Sequence, residues 1–248
     1  MEKDIKILAL DSSGLVASAA VVCGEELIAE YTINYKKTHS QTLLPMLDEL
    51  KKMVELDLDS MDAIAVAAGP GSFTGLRIGS ATAKGLGMAL NKPLIGVPTV
   101  DGLAYNLYGT DKVICPIMDA RRGQVYTGIY KFERQEDRFV LKTVKEQCAI
   151  SLVEVIAILN EGKEEVIFLG DGVPVFKEMI AEKMTIPYSF APAHMNRQRA
   201  SSVAVLGAEY YKQGKIQTAA EHQPEYLRMS QAERERLEAE GRTNGNIS

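Results

Sequence analysis

Cysteine is scarce and scattered in this 248-residue chain. Cys23, Cys115 and Cys148 make an odd number with no C-x-x-C pair, which argues against a disulfide framework and a zinc knuckle alike. They read as reduced, mostly buried thiols. Histidine is as sparse: His39, His194 and His222 lie far apart, with neither H-x-x-x-H nor H-E-x-x-H to place two imidazoles on one helix face. No run approaches the ~20 apolar residues of a membrane span. The opening "MEKDIKILALDSS" meets Asp11 too early to hold a signal-peptide core, so the expectation is a soluble, cytoplasmic protein. Basic charge is also short. A net charge of −5, with 46% hydrophobic and 25% charged residues, fits an ordinary globular domain. It argues against autonomous nucleic-acid binding, which leaves a basic footprint, though not against a subunit serving a nucleic-acid enzyme.

The usual phosphate and nucleophile motifs are missing too. No Lys-Ser or Lys-Thr follows the glycines of a P-loop pattern. Gly69, Gly71 and Gly75 are spaced one residue too far for a dinucleotide fingerprint and follow a later strand. "GSFTG" places Phe73 where a nucleophile elbow needs serine.

What is present is a pattern that occurs twice. "IKILALDSS", "LVASAAVV" and "ELIAEYTIN" predict three antiparallel strands, followed by a helix over residues 39–56, the strand "DAIAVAAG", a glycine-rich helix, the strand "PLIGVPT" and a short helix near 100–108. "KVICPIMDARRGQVYTGIYKF" and "RFVLKTVKEQ" again give three strands. A helix near 152–159, the strand "EVIFLGDG" and the helix "PVFKEMIAEK" complete the echo. A duplicated mixed α/β domain follows. The expected division is residues 1–108, joined by a returning helix over 197–214, then 109–195, then a partly disordered tail over 215–248. "QAERERLEAE" in that tail is helix-prone but almost wholly polar.

The glycine-rich helix is the sharpest anomaly. Ser72 is expected to cap a helix running to about Leu90. Gly75, Gly79, Gly85 and Gly87 lie inside it and together cost roughly 3–4 kcal/mol relative to alanine. Gly75, Gly79, Ala83 and Gly87 form one smooth ridge, with Leu76, Leu86 and Leu90 on or beside it. Ile78, Ala81, Gly85, Met88 and Ala89 cover much of the opposite side. Such a helix is apolar nearly all round, which calls for burial nearly all round. In the preceding helix Leu43, Leu44, Met46, Leu47, Leu50, Met53 and Val54 span a similarly wide arc. Two readings are open: both helices pack only within their own domain, or the ridge admits a partner's helix at close range. Asp11 and Asp119 end equivalent strands and could face one cleft as paired carboxylates; the simpler reading is that each caps its own turn. Arg121 and Arg122 beside Asp119 suggest an anion site or, more simply, a surface turn.

"ILALDSS", "HSQTLLPML", "GPGSFTGLRIG", "MDARRGQVY" and "PEYLR" together resemble the TsaB family, also called YeaZ, over almost the whole chain. The resemblance implies an α/β fold of two tandem ribonuclease-H-like domains of the actin-like ATPase/sugar-kinase superfamily, with mixed sheets flanked by helices. It implies a non-catalytic scaffold subunit for tRNA N6-threonylcarbamoyladenosine synthesis, paired with a TsaD-like catalytic paralogue and served by a TsaE-like ATPase. tRNA would then be met indirectly through the complex, whose tRNA path the chain could help to shape, and a homodimer could form when the chain is alone. Thr99 and Leu103 stand where TsaD-like proteins carry an H-x-x-x-H metal motif, so no metal site, catalytic residue or cofactor is expected. "LDSSG" lacks the glycine of the superfamily's phosphate-binding turn. The family's first two helices imply a partner interface at His39, Leu43, Leu44, Met46, Leu47, Leu50, Phe73, Gly75, Leu76, Gly79, Ala83, Leu86 and Gly87. The readings kept beside this one are a metallo-glycoprotease and a small ATPase.

Overall fold

The apolar runs near the N-terminus become three antiparallel strands in the computed structural model, which describes residues 4–35 and 39–228. β1 (Lys6–Asp11) pairs with β2 (Val16–Cys23), and β2 with β3 (Glu26–Asn34). β4 (Ala63–Gly69) and β5 (Leu94–Pro98) then add in parallel on the far side of β1, giving the order β3-β2-β1-β4-β5. Parallel neighbours need long crossovers, and α1 (His39–Met53) and α2 (Phe73–Leu90) supply them. α3 (Thr99–Tyr105) leads to the second sheet.

That sheet repeats the plan strand for strand. β6 (Val113–Asp119), β7 (Gln124–Gln135) and β8 (Arg138–Ser151) form the antiparallel part. After α4 (Leu152–Gly162), β9 (Val166–Leu169), α5 (Val173–Lys183) and β10 (Tyr188–Phe190), the order is β8-β7-β6-β9-β10. The fold is therefore the duplicated mixed α/β arrangement expected from the sequence. β10 was not foreseen, because three residues are too few to show an alternation. α6 (Ala200–Lys212) returns to pack on β1 and β2. The polar helix expected over 231–240 lies outside the described residues.

Side-chain alternation explains why β1 reads as one unbroken apolar run: both faces of its sheet are covered. Leu8 and Leu10 point with Ile64 and Val66 toward α1 and α2. Ile7 and Ala9 point with Ala65 and Val97 toward α6. Small residues let α6 come close; a Cβ on Gly207 would sit 2.9 Å from the Ala65 Cβ. The start of α6 is fixed by Glu30 of β3, whose carboxylate takes the Arg199 guanidinium and the Ser201 amide at 3.1 Å. Ser151 starts α4 with a reciprocal capping box to Glu154. A further apolar cluster joins the two lobes: Val100, Leu103 and Leu107 meet Ile114, Met118 and Tyr130.

Candidate functional site

The glycine ridge faces inward. Ser72 caps α2 as expected, its Oγ accepting the Gly75 amide at 3.3 Å. A Cβ on Gly75 would enter the Ser12 carbonyl oxygen, one on Gly79 would lie 2.5 Å from Ser12 Oγ, and one on Gly87 would lie 2.8 Å from Leu94. Ser12 Oγ in turn donates to the Gly75 carbonyl at 2.9 Å. The helix thus rests so tightly on the β1–β2 turn and on β5 that only hydrogen fits, which is what offsets the glycine cost. This corrects the expectation of a ridge free to receive a partner's helix. Gly75, Gly79, Ala83 and Gly87 are consumed within the chain, as are Leu76, Leu43, Met46, Leu47 and Leu50.

The opposite side of α2 is the open one. Ala81, Gly85, Met88 and Ala89 are exposed and Ile78 is partly so; nothing lies within 4 Å of a Cβ built on Gly85. Met88 is 74% exposed, and α1 adds Leu44 at 54% and Met53 at 81%. Of the residues expected to form a partner interface, Leu44 is exposed, while Leu86, Phe73 and His39 are partly exposed. His39 Nε2 meets the Gly14 carbonyl oxygen at 2.8 Å, tying the first residue of α1 to the β1–β2 turn.

Between the lobes lies a cleft of about 510 Å³. Asp11 and Asp119 end β1 and β6, and each caps its own turn. Asp11 Oδ1 accepts the Ser13 amide at 2.9 Å and Ser13 Oγ at 2.6 Å; Asp119 Oδ1 accepts the Arg121 amide at 2.8 Å. Asp119 lines the cleft, joined by Asp171 from the turn before α5, whose Oδ1 accepts the Asp119 amide at 3.2 Å. Burial raises the Asp11 carboxyl to about 6, with the two Ser13 bonds holding it back. Burial raises Asp171 as well, opposed by the Asp119 amide and by Arg197. Thr99 and Leu103 are structural: Thr99 Oγ1 accepts the Gly69 amide at 3.2 Å, and Leu103 is buried between the lobes. Among the described residues no group of three or more His, Cys, Asp or Glu side chains is placed to hold a metal ion.

One wall of the cleft is a segment that the sequence reading missed. Residues 217–228 form a strap that begins as a bridge to the edge of β5, Gln217 and Leu94 exchanging backbone bonds at 2.8 Å. Lys84 of α2 donates to the His222 carbonyl at 2.9 Å, and the Glu225 amide donates to the Ala68 carbonyl at 2.7 Å. The Glu225 carbonyl occupies the place of a Cβ on Gly69, which sits at φ +124°. Tyr226 stacks on Phe73 with centroids 4.7 Å apart, and Gln147 of β8 donates to Glu225 at 2.8 Å. Arg228 ends the strap on the Ala120 carbonyl of the second lobe. Irregular backbone carries no periodicity, so only the phrase "PEYLR" marked this segment.

Two mixed five-stranded sheets of one repeated topology, with a turn-capping aspartate ending each of the equivalent strands β1 and β6, define a duplicated α/β protein of the kind the resemblance implies. Comparison with known proteins narrows this. The family model of TsaD, tRNA N6-adenosine threonylcarbamoyltransferase, matches residues 26–236. The tRNA threonylcarbamoyladenosine biosynthesis protein TsaB of Bacillus subtilis is 34% identical over 236 residues, covering 94% of this chain and 99% of that protein. The Escherichia coli protein of the same name is 34% identical over 130 residues, 51% of this chain and 55% of its own length. YeaZ from Pseudomonas aeruginosa superposes with a TM-score of 0.75 at 25% identity, covering 90% of this chain and 100% of that one. The chain belongs to the TsaB family.

Proposed function

We propose that this chain is a non-catalytic scaffold subunit for the synthesis of tRNA N6-threonylcarbamoyladenosine, acting in the cytoplasm. In this reading it pairs with a TsaD-like catalytic paralogue, a TsaE-like ATPase completes the assembly, and homodimers form when the partner is missing. The observation that carries it is the exposed apolar face built by Leu44 and Met53 of α1 with Ile78, Ala81 and Met88 of α2. Exposed apolar surface of that kind marks a contact with another protein. The division of labour is supported by Thr99 and Leu103, which stand in place of an H-x-x-x-H pair and are taken up in the chain's own packing. The two sheets, with the boundaries expected from the sequence, would then be the paired domains whose relative setting presents α1 and α2.

The test uses Met88→Arg beside the wild type. Met88 makes its side chain available to solvent, so a charge there leaves the fold intact while placing a cation in an apolar contact, which costs several kcal/mol when it is desolvated. Capture of a larger paralogue bearing H-x-x-x-H by the wild type, with at least a tenfold loss for Met88→Arg, is the expected outcome. Equal capture by both would defeat the interface. Metal bound in stoichiometric amount by the purified chain, or binding of ATP with magnesium, would favour the peptidase or ATPase readings.

A further inference from the structure

We infer that the rim of the cleft, lined by Arg121 and Arg228 and flanked by Arg77 over Phe73 and by Arg122 next in the chain, is a contact for the phosphodiester backbone of RNA. This goes beyond the scaffold reading, in which tRNA is met indirectly through the complex. It rests on that reading only for the identity of the RNA.

The four guanidiniums lie along one chain of contacts. Arg77 of α2 stacks over the Phe73 ring at 4.0 Å and its Nε donates to the Tyr226 hydroxyl at 3.4 Å. Two residues further along the strap, Arg228 donates to the carbonyl of Ala120. Arg121 and Arg122 follow directly in the β6–β7 turn. Each guanidinium keeps donors to spare. The Arg121 side chain is 86% exposed, with one ion pair to Asp119 at 3.7 Å. Arg122 is exposed and has no ion pair or hydrogen bond among the described residues. The terminal nitrogens of Arg77 are likewise unpaired among those residues.

The backbone reinforces the point. Arg121, Arg122 and Gly123 hold consecutive φ values of +67°, +57° and +73°. Only glycine, and to a lesser degree asparagine, adopts that conformation without strain. Glu55, Glu136 and Lys163 hold the same backbone singly, whereas Arg121 and Arg122 hold it in succession, so both arginines sit at a conformational cost that glycine would not carry. The carboxylates that line the cleft, Asp119, Asp171 and Glu225, are already engaged by the Arg121 amide, the Asp119 amide and Gln147.

The chemistry of the rim selects among anions. Arginine presents a planar fork that meets phosphate oxygens in pairs. Tyr226, 40% exposed and tilted against Phe73 with ring centroids 4.7 Å apart, gives a base a ring to lie on. Cationic groups interleaved with an aromatic platform are the pattern of single-stranded nucleic-acid contact. The formal charge of −5 on the chain makes this rim a local exception to an acidic surface, which suits a weak contact that low salt strengthens.

The experiment is fluorescence anisotropy of a labelled, unmodified tRNA transcript with the full chain between 50 and 200 mM salt. Wild type is compared with the double variant Arg121→Gln/Arg122→Gln and with Arg122→Gly. The expected result is salt-dependent binding by the wild type and at least a tenfold loss in the double variant. The slope of log K against log salt should become shallower by about 1.5, since each phosphate contact contributes about 0.7–0.9. Arg122→Gly relieves the backbone, so it should unfold no earlier than wild type and yet bind tRNA several-fold more weakly. Unchanged affinity and slope in the double variant, or no binding by wild type at 50 mM salt, would overturn the inference. So would equally tight binding of poly-glutamate, which carries charge without phosphate or base. Capture of the paralogue by the double variant separates the two proposals: retained capture with unchanged tRNA binding removes the rim alone, and lost capture only with Met88→Arg keeps the interface standing.

Discussion

Asp11 is a carboxyl group held where a charge is expensive. It is buried at the end of β1, and its folded pKa of about 6 stands above the ordinary value of 3.8 because burial outweighs the two bonds from Ser13. The folded chain therefore binds this proton more tightly than the unfolded chain does. The contribution to stability is fully present below about pH 3.8 and is lost as the pH rises through 6, a change on the order of 3 kcal/mol. Asparagine keeps an oxygen for both Ser13 donors and carries no charge. Asp11→Asn should match the wild type near pH 4 and exceed it by about 1–3 kcal/mol at pH 8, read from urea unfolding at the two pH values. A variant less stable than wild type at pH 8, or an equal gap at both pH values, would refute this account of the site.

At the scale of elements, α2 separates glycines that are required from one that is not. Gly75 touches the Ser12 carbonyl, so Gly75→Ala forces the helix off the β1–β2 turn and should cost about 1–3 kcal/mol. Gly85 faces open space, and Gly85→Ala should stabilise the chain by up to about 1 kcal/mol through helix propensity alone. Thermal unfolding of the two variants tests this directly; equal losses would mean that the seam at Gly75 yields freely. The same helix shows how far sequence carries. Its cap at Ser72 and its end at Leu90 were legible, because capping and breaker residues act locally. Its periodicity revealed two apolar sides but not which one the sheet takes, since that depends on how near the Ser12 carbonyl approaches. Chain order and turn chemistry likewise exposed the duplicated topology and the roles of Asp11 and Asp119 as turn caps. The strap, Asp171 and the meeting of Tyr226 with Phe73 were illegible, because each joins residues far apart through backbone without a repeat.

At the scale of the whole molecule, the question is what makes two similar lobes behave as one body. The apolar cluster of Val100, Leu103, Leu107, Ile114, Met118 and Tyr130 supplies area, and a polar tie lies within it. Asp101 of α3 accepts the Tyr130 hydroxyl of β7 at 2.6 Å and the Tyr210 hydroxyl of α6 at 3.4 Å. One carboxylate thus holds a residue from each lobe. Burial raises its pKa, with the two hydroxyl bonds opposing and Glu146 and Glu225 adding to the rise. Tyr130 is fully buried, so removing its acceptor leaves a buried hydroxyl without its partner. Asp101→Ala should therefore cost about 2 kcal/mol and lower the melting temperature by about 4–8 °C for a chain of this size. Asp101→Asn retains an acceptor oxygen and should fall within about 1 kcal/mol of wild type at pH 7. Because the lobes share this cluster, calorimetry of the wild type should give a single transition, whereas Asp101→Ala should broaden it or divide it. Two resolved transitions already present in the wild type would show that the lobes unfold independently, and the tie would then be a local contact with no bearing on how α1 and α2 are presented to a partner.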